Sequence, residues 1–188
     1  MFKIIVTAVI VFASSGFAQS DTKTEKYSSV ARGAQGETFY HEQHEVQFND
    51  GRVQKARTQY LNPSGQLIGD LSSDFSKLIT IPDYEYKDLR AGTSHGIKIE
   101  GEKITLWKKE KDGKVKESHF FKGEFSKDSL IVGCQGLHYY LIDNLERVRE
   151  KKSIPIKYFI PGNLDYYSFT LKLDHEDEKY IYLKLSID

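Results

Sequence analysis

Tyr167-Ser168-Phe169-Thr170-Leu171-Lys172-Leu173 alternates a large apolar residue with a small or charged one at every step. Successive side chains of an extended strand point to opposite faces, so such a stretch buries one side and wets the other. Ile154, Ile156, Tyr158 and Ile160 set the same rhythm before it, and Ile181, Leu183, Leu185 and Ile187 repeat it after. Lys157, Lys184 and Ser186 occupy the opposite faces. Three half-buried strands in succession predict an antiparallel meander rather than a sheet covered on both sides.

Toward the N-terminus the pattern continues with turn residues between short strands. Tyr40, His44, Val46 and Phe48 share a face ahead of Asn49-Asp50-Gly51, residues that tolerate the positive φ of a tight hairpin. Asn62-Pro63-Ser64-Gly65 marks a second turn, and Glu100-Gly101-Glu102 separates Ile97-Lys98-Ile99 from Ile104-Thr105-Leu106-Trp107. Lys111-Asp112-Gly113-Lys114 leads into another strand at 115–121. Twelve Tyr and eleven Phe in 188 residues agree with a sheet-rich chain.

One segment keeps a different period. Leu137, Tyr140, Leu141, Leu145 and Val148 recur at three- and four-residue steps, which predicts an amphipathic helix over 136–151. Basic residues in its last turn suit the negative end of the helix dipole. A lone amphipathic helix buries its stripe against the apolar face of the sheet. The expected fold is therefore mainly β: a curved antiparallel half-barrel with one helix on its concave face. Asn144 falls within the stripe, where its amide must bond a neighbouring strand or face a cavity.

The N-terminus carries a short basic head at Met1-Phe2-Lys3, an apolar run over 4–13 and small residues at Gly16 and Ala18. Those three parts make a secretory signal peptide over 1–18. The apolar run is too short for a bilayer, which needs about twenty residues, and no later stretch is long enough. Residues 19–36 are polar and read as a loose leader, leaving 37–188 as a single β-rich domain in the periplasm or medium. Removing the signal leaves 26 basic against 27 acidic residues, a balance that argues against a nucleic-acid partner. A single cysteine, Cys134, excludes an internal disulfide.

Few constellations point to chemistry. His41 and His44 would face opposite sides of a strand and so cannot share a metal ion; both are expected at the surface. Gly133-Cys134-Gln135-Gly136 with His138 invites a thiol–imidazole dyad, or simply a glycine-flanked strand end. The carboxylates of Asp174, Glu176, Asp177 and Glu178 read as a solvated hairpin cap. No phosphate-binding glycine loop occurs, and no cofactor or metal is expected. Asp88 and Arg90 can pair at the end of the strand that carries Tyr84 and Tyr86. They either brace that end or line the mouth of a pocket, with Tyr140 and Asn144 facing its interior.

Two groups of residues resemble a recurrent pattern of exported bacterial proteins with no assigned activity. One is Tyr60-Leu61-Asn62-Pro63-Ser64-Gly65 followed by Pro82, Tyr84, Asp88, Arg90 and Gly92. The other is Gly136-Leu137-His138, Leu141-Ile142 and Asn144-Leu145 followed by Ile156 and Phe159-Ile160-Pro161. The similarity covers about 38–171 and departs from the pattern at Cys134, where an acidic residue is more usual. The implied architecture is similar to that of the periplasmic lipoprotein carriers (LolA/LolB-like). That likeness implies a non-enzymatic binder or carrier of a lipid-like ligand in the envelope. The alternative is an interaction or structural envelope protein with a filled core; a hydrolase using His138, Asp88 or Cys134 ranks third. An outer-membrane barrel fits poorly, because the strand faces carry many lysines and the helix has no place in it.

Overall fold

The computed structural model describes residues 22–33, 35–150, 153–177 and 181–187. The signal peptide read at 1–18 lies outside the described residues. Eight antiparallel strands form one curved, open sheet in sequence order: β1 (Thr22–Arg32), β2 (Thr38–Asn49), β3 (Arg52–Leu61), β4 (Leu67–Asp74), β5 (Asp83–Asp88), β6 (Thr93–Glu100), β7 (Lys103–Lys109) and β8 (Val115–Phe121). The β2–β3 hairpin closes on Asp50 and Gly51, with φ of 50° and 75°. Two successive positive φ values are what a two-residue hairpin matched to strand twist requires.

Strand register assigns the two faces. Val46, Ala56, Ser73, Tyr84, Ile97 and Leu106 lie side by side across β2–β7, and all are buried. One residue along, Glu45, Arg57, Ser72, Glu85, Gly96 and Trp107 form the neighbouring row on the opposite face. The first row belongs to the inner, core-forming face; the second lies on the outer face.

A second sheet runs β12 (Ile181–Ile187), β11 (Asp165–Glu176), β10 (Ile154–Ile160) and β9 (Leu130–Gly133). The expected meander is present in β10–β12, but β9 adds to β10 in parallel. Two parallel neighbours need a crossover, and the helical segment provides it. That segment is two helices rather than one, α1 (Gly136–Asp143) and α2 (Leu145–Glu150). They break at Asn144, which leaves the helical region at φ −128° and ψ 25°. Its side-chain Nδ2 donates to Tyr140 O, 3.0 Å away, and its own carbonyl accepts from Val148 N. Asparagine competes for backbone groups inside helices and suits their ends, which accounts for the interruption.

The polar stretch at 19–36 also departs from expectation. Residues 22–32 are not loose but form β1, paired along its full length with β2. An edge strand wetted on both sides needs no alternating apolar row, so its sequence lacks that signal.

Three apolar clusters hold the parts together. Ile81, Tyr84, Ile97, Ile99, Ile104 and Leu106 surround Phe159 of β10, which is fully buried. Tyr139 of α1 packs on Val46, Val53 and Ala56 of the large sheet and on Phe75 just past β4. Leu137, Leu141 and Val148 lean the other way, on Ile154, Ile156 and Leu171 of the small sheet. The helical segment is thus clamped between two sheets, with one buried face more than its Leu137–Val148 stripe discloses. Burying each large apolar side chain is worth roughly 1.5–3 kcal/mol.

Candidate functional site

Asp88 and Arg90 brace the turn between β5 and β6. Oδ1 of Asp88 accepts from the backbone N–H of Arg90 (2.9 Å) and Ala91 (3.0 Å). The Arg90 guanidinium lies 3.4 Å from Oδ2 with its side chain largely in solvent. The Ala91 N–H, with the help of Arg90, holds the Asp88 carboxyl below its ordinary range. Tyr140 is buried within α1, and the Asn144 amide is spent on the Tyr140 carbonyl. Among the described residues no hydrogen bond or ion pair joins Asp88 and Arg90 to Tyr140 and Asn144, and none of the four lines either hollow described below.

Cys134 sits in a tight passage. Gly133 N donates to Thr80 O at 2.9 Å, and a Cβ on Gly136 would lie 1.9 Å from the same carbonyl oxygen. Burial pushes the Cys134 thiol up to about 12. A thiol so far from ionisation is a poor nucleophile at neutral pH. The His138 ring packs edge-on against Tyr139 with centroids 5.4 Å apart, and burial followed by the nearby His44 lowers its basicity. A Cys–His dyad therefore has neither the thiolate nor the contact.

A polar chain on the inner face was not foreseen. Ser29 Oγ donates to Glu42 Oε2 at 2.5 Å, and that oxygen lies 3.1 Å from His44 Nε2. His44 Nδ1 lies 3.0 Å from Thr58 Oγ1, which also accepts from Gln135 Nε2 at 3.1 Å. Ser73 Oγ then donates to Gln135 Oε1 at 3.3 Å. Because the Glu42 carboxylate can only accept, Nε2 of His44 carries a proton facing it. The His44 hydrogen bond, more than any other contact, holds the Glu42 carboxyl below its usual range. Tyr27 stacks on the His44 ring at 4.5 Å. His44, expected at the surface, is thus half enclosed.

A hydroxyl, an imidazole and a carboxylate in line have the order of a nucleophile, a base and its orienting acid. Thr58 is only 1% exposed and lines neither of the two hollows described below, so no substrate reaches it. The chain instead knits β1, β2, β3 and β4 to the loop ahead of α1.

The open ground is on the outer face of the large sheet. A hollow of about 520 Å³ crosses β2–β7. Ser72 lies on its floor, Trp107 stands at one end, and Lys55, Glu85 and Lys98 are among its rim. Gly96 is buried under the indole: a Cβ there would meet Trp107 Cε2 and Cζ2 at 2.9 Å and Tyr84 O at 1.9 Å. A second hollow of about 450 Å³ over β1–β3 shares Glu45 and Arg57 with the first.

Fold and surface together define a mainly β protein of two sheets, with a packed inner side and an open, polar outer groove. Comparison with protein-family models, curated proteins and solved structures finds no match. Among the described residues no group of His, Cys, Asp and Glu is placed to hold a metal, and no helix is long and apolar enough to cross a membrane.

Proposed function

We propose that this chain is a non-enzymatic binding protein of the envelope or medium, and that it meets its partner on the outer face of the large sheet. The observation that carries this reading is the contrast between the faces. Inner residues are taken up in packed clusters, while the roomy hollows at β2–β7 and β1–β3 lie among charged and polar side chains. The raised Cys134 thiol and the shielded Thr58 hydroxyl argue against nucleophilic catalysis. The exported context comes from the signal peptide read at 1–18.

Lysine labelling in intact cells tests the reading against the purified chain. Lys55 and Lys98, at the groove, should be shielded in the cell relative to Lys172 on the small sheet. Equal labelling of all three in both settings would remove the proposed surface. Native mass spectrometry separates the lipid-carrier reading: that reading requires a lipid-sized mass to travel with the protein, whereas an outer-face binder travels without one.

A further inference from the structure

The outer groove has a chemistry of its own. Its lining holds three cationic side chains, Lys55, Arg57 and Lys98, against four carboxylates, Glu45, Asp74, Asp83 and Glu85. Such a surface offers no net attraction to a polyanion or polycation, yet it presents donors and acceptors along its length. Hydroxyl groups both donate and accept, so a neutral polyhydroxy chain can use either kind of side chain.

The aromatic end adds the second requirement. Trp107 lies close against Gly96, and a side chain at 96 would collide with both the indole and the Tyr84 carbonyl. Glycine weakens a strand interior, and its presence there often marks a close approach by another group. Here the approaching group is the indole, held across the sheet as a shelf at the end of the groove. Ser72, in the same row two strands from Gly96, keeps the floor low and wet. An apolar shelf beside a low floor and a rim of polar side chains matches a pyranose ring, which has C–H groups on its face and hydroxyls at its edge.

We infer that the outer groove binds a neutral oligosaccharide, with one sugar ring laid against Trp107 and its neighbours hydrogen-bonded by the charged rim. The hollow, at about 520 Å³, is in the range of small-molecule sites. Its open shape suits a piece of a longer chain that enters and leaves at the ends. This inference rests on the outer-face reading above and names the ligand class for it.

Trp107 is the only tryptophan in the chain, so its fluorescence reports on the groove alone. The full mature chain is titrated separately with the tetrasaccharides of N-acetylglucosamine, cellulose and starch, and with an uncharged peptide as control. At least one sugar should give a saturable change in emission, and the peptide none. By calorimetry, Trp107→Leu should weaken that sugar at least tenfold, and Ser72→Phe, which fills the exposed floor, should do the same while circular dichroism stays native. A flat titration with all three sugars, undiminished binding in both variants, or saturation by the peptide instead would each overturn the inference. Loss of sugar binding with Lys55 and Lys98 still shielded in cells would leave the outer-face reading standing with another partner. Unshielded lysines together with tight sugar binding would do the reverse.

Discussion

The two sheets are finished differently. The large one has its inner face taken up by Phe159, Tyr139 and their neighbours, and keeps its other face for charged side chains. The small one is roofed by α1 and α2 over β9–β11, a cover that reaches β12 through Leu183, while the end of β12 is left with Leu185 half exposed and Ile187 at 76% exposure. Stability therefore concentrates where the large sheet, α1 and β10 converge. The outlying strands contribute pairing more than burial.

That contrast can be broken most forcefully at the convergence. Phe159 packs edge-on against Phe120, Phe125 and Tyr166 with centroids 5.2–5.7 Å away. Phe159→Ala should cost about 3–5 kcal/mol in urea unfolding, the range for a large aromatic deleted from a core. A loss below 1 kcal/mol would show the junction to be loose. Gly136→Ala forces a methyl group against Thr80 O and should cost about 1–3 kcal/mol, as overpacking does. Unchanged melting would mean that the loop at 79–81 yields freely.

The Glu42–His44–Thr58 chain is a milder test, and it carries a pH signature. The folded Glu42 carboxyl titrates below its unfolded value, so its contribution is present above the ordinary carboxylate range and fades as pH falls through the lowered value. His138 and His95 are also less basic when folded, so they too favour the native state above the usual imidazole range and lose that as pH drops. Glu42→Gln should destabilise by about 1–3 kcal/mol at neutral pH and flatten the acid limb of the stability curve. An acid limb identical to that of the parent would exclude Glu42 from it. At the weak end, Leu185→Ser and Ile187→Ser should each change stability by no more than about 0.5 kcal/mol. A large loss there would mean that β12 is covered in solution.

The same contrast explains what could be read from the chain. β10, β11 and the Asp50–Gly51 hairpin announce themselves because one face meets a core and the other meets water. β1 has only Tyr27 and Val30 as large apolar residues and is fixed by pairing with β2, so no local period betrays it. β9 is four residues long and parallel to β10, a pairing that local alternation cannot distinguish. Tyr139 lay outside the apolar stripe because a helix between two sheets is buried on two sides. Asp88 and Arg90 do pair as their spacing allowed, and Asn144 did find a backbone partner, though within its own helix. The polar chain on the inner face was beyond reach: its two links to Gln135 join residues 62 and 77 positions apart, and nothing local records them. The Trp107 shelf left a trace in the sequence, a glycine in mid-strand at position 96, whose meaning depends on strand register.

The order of the large sheet has a consequence for how the protein is made. From β1 to β8 every strand pairs with its immediate predecessor, so each new hairpin can be added to a finished edge as the polypeptide lengthens. Nearby pairings form quickly because little chain must be gathered to make them. β9 and β10 must wait for the twenty residues between them, 134–153, to be laid out and folded back. In pulse-labelled amide exchange, β2–β4 should gain protection ahead of β10; simultaneous protection would contradict this sequence of events. Assembly thus runs from one end, and the last joint to close is the one that Phe159 locks.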